Sequence, residues 1–145
     1  MTKQFDGQRR LRPPSNAKRA CSDRGELYFW LIAPDICATY AHGAMTRNMS
    51  QLFLNQLEPV YATGVTIYGF HDWLDMASYD SMCRVDLTAW VLRHRKQTVA
   101  HIAATSRLVA MGVSVANLTL GNLFHVHDSQ DGLEHALAET LSSRQ

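Results

Sequence analysis

The chain has 145 residues, of which 46% are hydrophobic and 19% are charged, which suits one globular domain with a core of its own. No apolar run reaches the length of a membrane span and the N-terminus has no signal-peptide core, so we expect neither an integral membrane protein nor a secreted one. Three widely spaced cysteines without a CxxC pair predict reduced thiols and a cytoplasmic location.

The first 25 residues are strongly basic. They carry seven Lys or Arg against two Asp and contain few large apolar side chains. A segment of this composition cannot bury enough surface to offset the entropy of ordering. We therefore predict a disordered basic tail over residues 1–25 and a folded domain over residues 26–145. Nucleic acid is expected to bind only through this tail, and no membrane partner is expected.

Two strands are predicted at the start of the domain. Residues 27–33 are rich in aromatic and branched side chains and end at Pro34. Residues 36–42 alternate in polarity, which is typical of a strand, and Asp35 lies at the turn between the two segments. Gly43 is expected to end the second strand. The pattern predicts an antiparallel hairpin.

Strands and helices then alternate along the rest of the chain. The predicted elements are a helix capped by Thr46 that bends or ends near Glu58 at Pro59, a strand over 65–70, a helix over 78–97, a strand over 99–105, a helix over 107–120, a short strand over 123–127 and a last helix capped by Asp128 or Ser129. This order predicts an α/β fold, with a mixed, mostly parallel sheet, an N-terminal β-hairpin and about four helices.

The segment 65–84 carries the most information about function. It is predicted as a buried strand, a short loop and a helix entered through Ser78, Tyr79, Asp80 and Ser81. Hydroxyl and carboxylate side chains at a helix entrance accept hydrogen bonds from free backbone N–H groups. The same entrance attracts phosphate. The segment therefore indicates either a capped helix or a phosphate-responsive surface.

Three features of the chain resemble the STAS domain family, typified by bacterial anti-sigma-factor antagonists. Gly43 follows the second strand, Asp72 lies eight residues before the Asp80–Ser81 pair, and residues 120–137 are similar to the closing strand and helix of the family. The resemblance covers about residues 27–141. It implies a STAS-like fold and a non-catalytic cytoplasmic signalling module that binds a protein partner, an anti-sigma factor or a kinase-like regulator.

The chain departs from the family at the phosphoacceptor position. Met82 occupies the place of the hydroxyl residue, and Cys83 that of the following glycine. The resemblance therefore implies a module that is not phosphoregulated at the usual position. A second implication is a sensor that binds lipid or another small ligand, because the family includes such relatives.

The predicted partner surface combines the loop after the third strand with the helix entrance. Its residues are Asp72, Trp73, Met76, Ser78, Asp80, Ser81, Met82 and Arg84. Trp73 is either an exposed contact residue or part of a lid that folds onto the sheet edge. The nearly uncharged helix over 107–120 predicts close packing against another helix or against a second copy of the chain, as in a homodimer.

Two groups of residues raise the alternative of a small metal- or cysteine-dependent hydrolase. His125, His127 and Asp128 have the spacing of a zinc half-site, although residues at a solvated strand end have the same pattern. Cys83 near a helix N-terminus could be activated by His71 or His94, although it falls on the apolar stripe of its helix. We favour the structural explanation for both groups, and expect no catalytic residue, cofactor or tightly bound metal.

Overall fold

The chain alternates between strands and helices, as the sequence predicts. The computed structural model describes residues 11–144. Its elements in chain order are β1 (Lys18–Cys21), β2 (Gly25–Ala33), β3 (Ile36–Met45), α1 (Arg47–Tyr61), β4 (Ile67–Tyr79), α2 (Ser81–Arg93), β5 (Thr98–Ala103), α3 (Arg107–Leu120), β6 (Phe124–His127) and α4 (Gln130–Ser142), with a 3₁₀ turn at Arg95–Gln97.

The six strands form one mixed sheet in which each strand pairs with its neighbours in sequence. β1, β2 and β3 are antiparallel, whereas β3, β4, β5 and β6 are parallel. Each parallel connection passes through a helix, as a crossover between parallel strands requires. The predicted α/β fold, with its N-terminal hairpin, mixed sheet and four helices, is confirmed.

The helices divide between the two faces of the sheet. One core is formed by α1, α2 and α3 against the sheet and contains Phe53, Trp90 and Val113. The second core lies between α4 and the opposite face and contains Phe70 and Leu137. β4 lies in the middle of the sheet and supplies side chains to both cores, because successive strand residues point to opposite faces. None of the described helices is both long and apolar enough to cross a membrane.

Short polar signals set the helix ends. Thr46 Oγ1 accepts from Met49 N–H at the start of α1, and Ser129 Oγ accepts from Gly132 N–H at the start of α4. Gly121, at φ +68°, ends α3 in the left-handed conformation. The helix does not end near Glu58, because α1 continues through Pro59 for two further residues.

The predicted disordered tail is wrong for residues 11–25. Lys18–Cys21 forms the edge strand β1 against β2, and Leu11 is only 1% exposed within the α4 core. The buried Leu11 side chain and the backbone hydrogen bonds between β1 and β2 stabilise a segment that its composition alone would leave unfolded. Residues 1–10, the remainder of the predicted tail, lie outside the described residues.

The predicted loop after residue 70 is also wrong, because β4 continues to Tyr79. β3 continues past Gly43 to Met45, with irregularities after Tyr40 and Gly43, and so offers β4 a partner over its whole length. Gly43 adopts φ +76° inside the strand rather than ending it. The helix consequently begins at Ser81 instead of Ser78 and ends at Arg93.

Candidate functional site

The residues predicted to form a partner surface do not lie on one surface. Asp72 is 3% exposed on the α4 side of the sheet, where its carboxylate accepts from Leu74 N–H and from the Gln130 amide. The next residue, Trp73, points to the opposite face and is half-buried. Met76 is buried as well. These three residues belong to the sheet and its cores, so the predicted loop surface is not formed.

Only the start of α2 remains accessible. Asp80, Ser81 and Met82 are exposed, while Ser78 and Arg84 are half-buried. Neither serine caps the helix: Asp80 is the N-cap residue, and its carboxylate accepts from Arg47 N–H at the start of α1 rather than from α2. The side-chain cap, one of the two interpretations of this entrance, is therefore not observed at the N-cap residue.

A cavity of about 120 Å³ lies between the sheet and helices α1, α2 and α3. Most of its lining side chains are apolar, and they include Phe53, Leu57, Trp90, Val113 and Phe124. For scale, an apolar cavity of roughly 150 Å³ stays dry and accommodates a benzene molecule. The cavity therefore has room for a molecule of about the size of benzene, in an environment that favours apolar groups.

Two glycines help to keep this space clear. A Cβ atom at Gly69 would lie 2.6 Å from His71 Nε2, and one at Gly112 would clash with the Tyr79 hydroxyl group. Both glycines line the cavity. Glycine inside a strand often marks a close approach of neighbouring atoms, so Gly69 was a signal available in the sequence.

His71 is the buried polar residue of most interest in the cavity wall. Its ring lies edge-on to Phe53, with centroids 5.9 Å apart, and 5.4 Å from the Trp73 ring. Its Nδ1 atom is 2.8 Å from Thr39 Oγ1, and this oxygen accepts a hydrogen bond of 3.1 Å from Trp73 Nε1. Burial, and secondarily His101, lowers the pKa of His71 to about 4, so the ring is neutral at pH 7.

A second group of histidines lies on the α4 face of the sheet. His101 stacks on Phe70 and lies 4.7 Å from the His125 ring, and its Nδ1 atom is 3.0 Å from His127 Nε2. Sequence spacing alone missed His101, which the β5–β6 register places beside His125. Within residues 11–144, no group of three or more His, Cys, Asp or Glu side chains is arranged to hold a metal ion. The candidate ligands His125, His127 and Asp128 therefore do not assemble into a site.

Cys83 lacks the environment of a nucleophile. Its side chain is buried, and its Sγ atom lies 3.8 Å from the Met45 carbonyl oxygen. Burial raises the pKa of the thiol, which opposes formation of the reactive thiolate. The geometry favours the interpretation of Cys83 as a packed core residue.

Comparison with known proteins identifies the fold. No family model and no curated protein matches the sequence. A solved structure that matches is an uncharacterized protein of the DUF3478 family with a SpoIIAA-like fold, from Shewanella loihica PV-4. It aligns with a TM-score of 0.59 and 17% identity, over 79% of this chain and 95% of that one. The match agrees with the fold implied by the STAS resemblance, and at this identity it concerns the fold alone. The chain has the SpoIIAA-like fold, the fold of the STAS family that its sequence resembles.

Proposed function

We propose that this chain is a non-catalytic binding module that holds a small apolar molecule between the sheet and helices α1, α2 and α3. The observation that carries the proposal is the cavity of about 120 Å³ and its largely apolar wall. The space is partly open to solvent, so an apolar ligand that fills it removes apolar wall from water, which favours binding.

The chemistry of the neighbouring residues supports binding rather than catalysis. The Cys83 thiol is held protonated by burial, and His71 is too weak a base to activate a nucleophile at neutral pH. Within the described residues, no group of three or more His, Cys, Asp or Glu side chains is arranged to hold a metal ion. A module that senses or carries its ligand accounts for these features without a reaction.

A protein partner is a second candidate function, supported by the outer face of α2. Met82, Val85 and Leu92 are 38%, 46% and 49% exposed and recur at helical spacing. Met82 in the acceptor position leaves such docking without the usual phosphate control. If docking occurs there, Met82→Glu should abolish it, whereas Leu31→Glu, on the exposed part of β2, should leave it unchanged.

Thermal unfolding with benzene as a probe tests the cavity. A probe that binds only the folded state stabilises it, so benzene held in this cavity should raise the thermal midpoint of the full chain in a concentration-dependent way. Ala116 lines the cavity, and Ala116→Leu should remove this shift while stabilising the unliganded protein.

Ala89→Leu is the matched control. It makes the same chemical change on the exposed side of α2, away from the cavity wall, and should retain the benzene shift. Equal shifts in the wild type and in Ala116→Leu would show that benzene binds elsewhere. Absence of any shift at saturating benzene would contradict the proposed function.

A further inference from the structure

We propose that His71 presents an N–H donor to the cavity, so that the ligand is an uncharged apolar molecule with one hydrogen-bond acceptor, such as the carbonyl oxygen of a ketone, aldehyde or ester. The inference rests on the proposed function and specifies the class of ligand. It follows from the position of one hydroxyl proton, on Thr39.

The Thr39 hydroxyl group has two neighbours and one proton. Thr39 is fully buried, and within residues 11–144 its Oγ1 atom bonds only to Trp73 Nε1 and His71 Nδ1. The Trp73 indole is a donor only, so it occupies a lone pair of the hydroxyl oxygen. The hydroxyl proton must then be donated to His71 Nδ1, because it would otherwise be buried without an acceptor.

This arrangement fixes the tautomer of His71. A neutral imidazole has one N–H donor and one acceptor nitrogen. With Nδ1 accepting from Thr39, the proton lies on Nε2. The low pKa of the buried ring, about 4, keeps it neutral throughout the physiological range.

The Nε2 atom lies against Gly69, where a Cβ atom would be only 2.6 Å away, and both residues line the cavity. In the described residues no side-chain N or O is both fully buried and unpaired, and Nε2 makes no hydrogen bond there, so part of Nε2 borders space that a water molecule can enter. Two other buried polar residues of the wall, Ser50 and Thr98, already donate to main-chain carbonyls. Among these three buried polar residues, His71 is therefore the one whose donor is left for a ligand to accept from.

The surroundings restrict what the acceptor can be. A carboxylate beside His71 would lose its hydration and meet a neutral imidazole, so a charged group is disfavoured there. Arg84 is a cation of the lining, but it is only half-buried. A neutral carbonyl group loses much less on desolvation and gains the Nε2–H bond. The volume of about 120 Å³ limits the enclosed part of the ligand to the size of a five- or six-membered ring.

The first test needs no ligand. Side-chain ¹⁵N NMR of the full chain at pH 7 should show His71 with its proton on Nε2 and an unprotonated Nδ1. A proton on Nδ1 would turn the Nε2 lone pair toward the cavity and would overturn the inference.

The second test compares two molecules of the same shape. Cyclopentanone and methylenecyclopentane differ by a carbonyl oxygen in place of a CH₂ group, and each is titrated into the wild-type protein and His71→Phe. Wild type should bind the ketone about tenfold more tightly than the alkene, equivalent to about 1.4 kcal/mol. Only the ketone should move the His71 Nε2–H signal. In His71→Phe this preference for the ketone should be lost or reversed, because the carbonyl oxygen would be buried without a donor.

The outcomes separate the two proposals. Binding of both molecules without a preference for the ketone would overturn the donor role and leave the apolar cavity in place. Failure of both molecules to bind would contradict the proposed function itself, and with it this inference. If His71→Phe does not fold, the wild-type affinity ratio and the NMR tautomer still decide.

Discussion

Leu11 and Glu134 are joined by a buried hydrogen bond between the two ends of the chain, with Leu11 N–H donating to Glu134 Oε1 at 2.9 Å. The leucine side chain lies beside Leu133 and Leu137 of α4 in the second core. Residues before the first strand thereby complete the layer that covers one face of the sheet. The N-terminal segment is part of the fold, whatever its composition suggests.

We expect Leu11→Ala to destabilise the protein by about 3 kcal/mol, because it removes a fully buried side chain and leaves a void under α4. In a domain of this size the thermal midpoint should fall by roughly 10 °C. Arg12→Ala, at the exposed neighbouring position, is the control and should change the midpoint little.

A chain starting at Glu26 should be less stable still, because it also lacks strand β1. This reverses the expectation from composition, under which the first 25 residues are dispensable. An unchanged midpoint in both Leu11→Ala and the truncated chain would mean that the segment does not pack as described.

Local patterns predicted the architecture well and the site poorly. The hairpin, the parallel strands and the caps at Thr46 and Ser129 depend on neighbouring residues, so periodicity and side-chain chemistry revealed them. The length of β4 depends on β3 offering a partner as far as Met45, and no short-range signal encodes that. The supposed loop around Trp73 was therefore strand, and the exposed surface inferred from it was not formed.

The cavity could not have been predicted either. It arises where side chains from three helices and five strands fail to fill a space, which is a property of their joint packing. Gly69 and Gly112 were visible as glycines inside predicted elements, but their meaning depends on His71 and Tyr79, which the fold brings against them. The same holds for His101, which only the strand register places among the other histidines.

Alanine substitutions at Gly43 and Gly64 separate the cost of a steric clash from the cost of backbone strain. Both have positive φ, +76° and +78°, but a Cβ at Gly43 would clash with the Arg24 carbonyl oxygen, whereas Gly64 has open space around it. Gly64→Ala should cost about 1 kcal/mol from backbone strain alone. Gly43→Ala should cost roughly 3 kcal/mol or more, because the obstructing atom is main chain. Urea unfolding gives both values, and equal losses would contradict the contact with Arg24.

The start of α2 should carry no phosphate at the position used by STAS domains. Met82 has no hydroxyl group, and phosphorylation requires one. Intact-mass spectra of protein purified from its own host should therefore show no species heavier by one phosphate. Ser81 is exposed and does not cap the helix, so it is the residue to map if such a species is found. A stoichiometric phosphate on Ser81 would restore a charge switch at this surface.

The buried histidines predict a loss of stability in mild acid. Burial is the main cause that lowers the pKa of His71 and of His101 to about 4, from an ordinary value of 6.5. Above pH 6.5 both are neutral in the folded and unfolded chains, and their contribution is fully present. As the pH falls from 6.5 toward 4, the unfolded chain binds protons that the folded chain does not, so the free energy of unfolding decreases. For His71 the total decrease is on the order of 3 kcal/mol.

The measurement is the free energy of unfolding in urea between pH 7.5 and 4.5. His71→Phe should be destabilised at neutral pH, because Thr39 loses its acceptor, but its stability should fall less steeply below pH 6.5 than that of the wild type. His135→Gln is the control, since His135 lies on the exposed side of α4 and should leave the slope unchanged. An identical slope in the wild type and His71→Phe would show that His71 takes up its proton equally in both states, and that its burial does not set its charge.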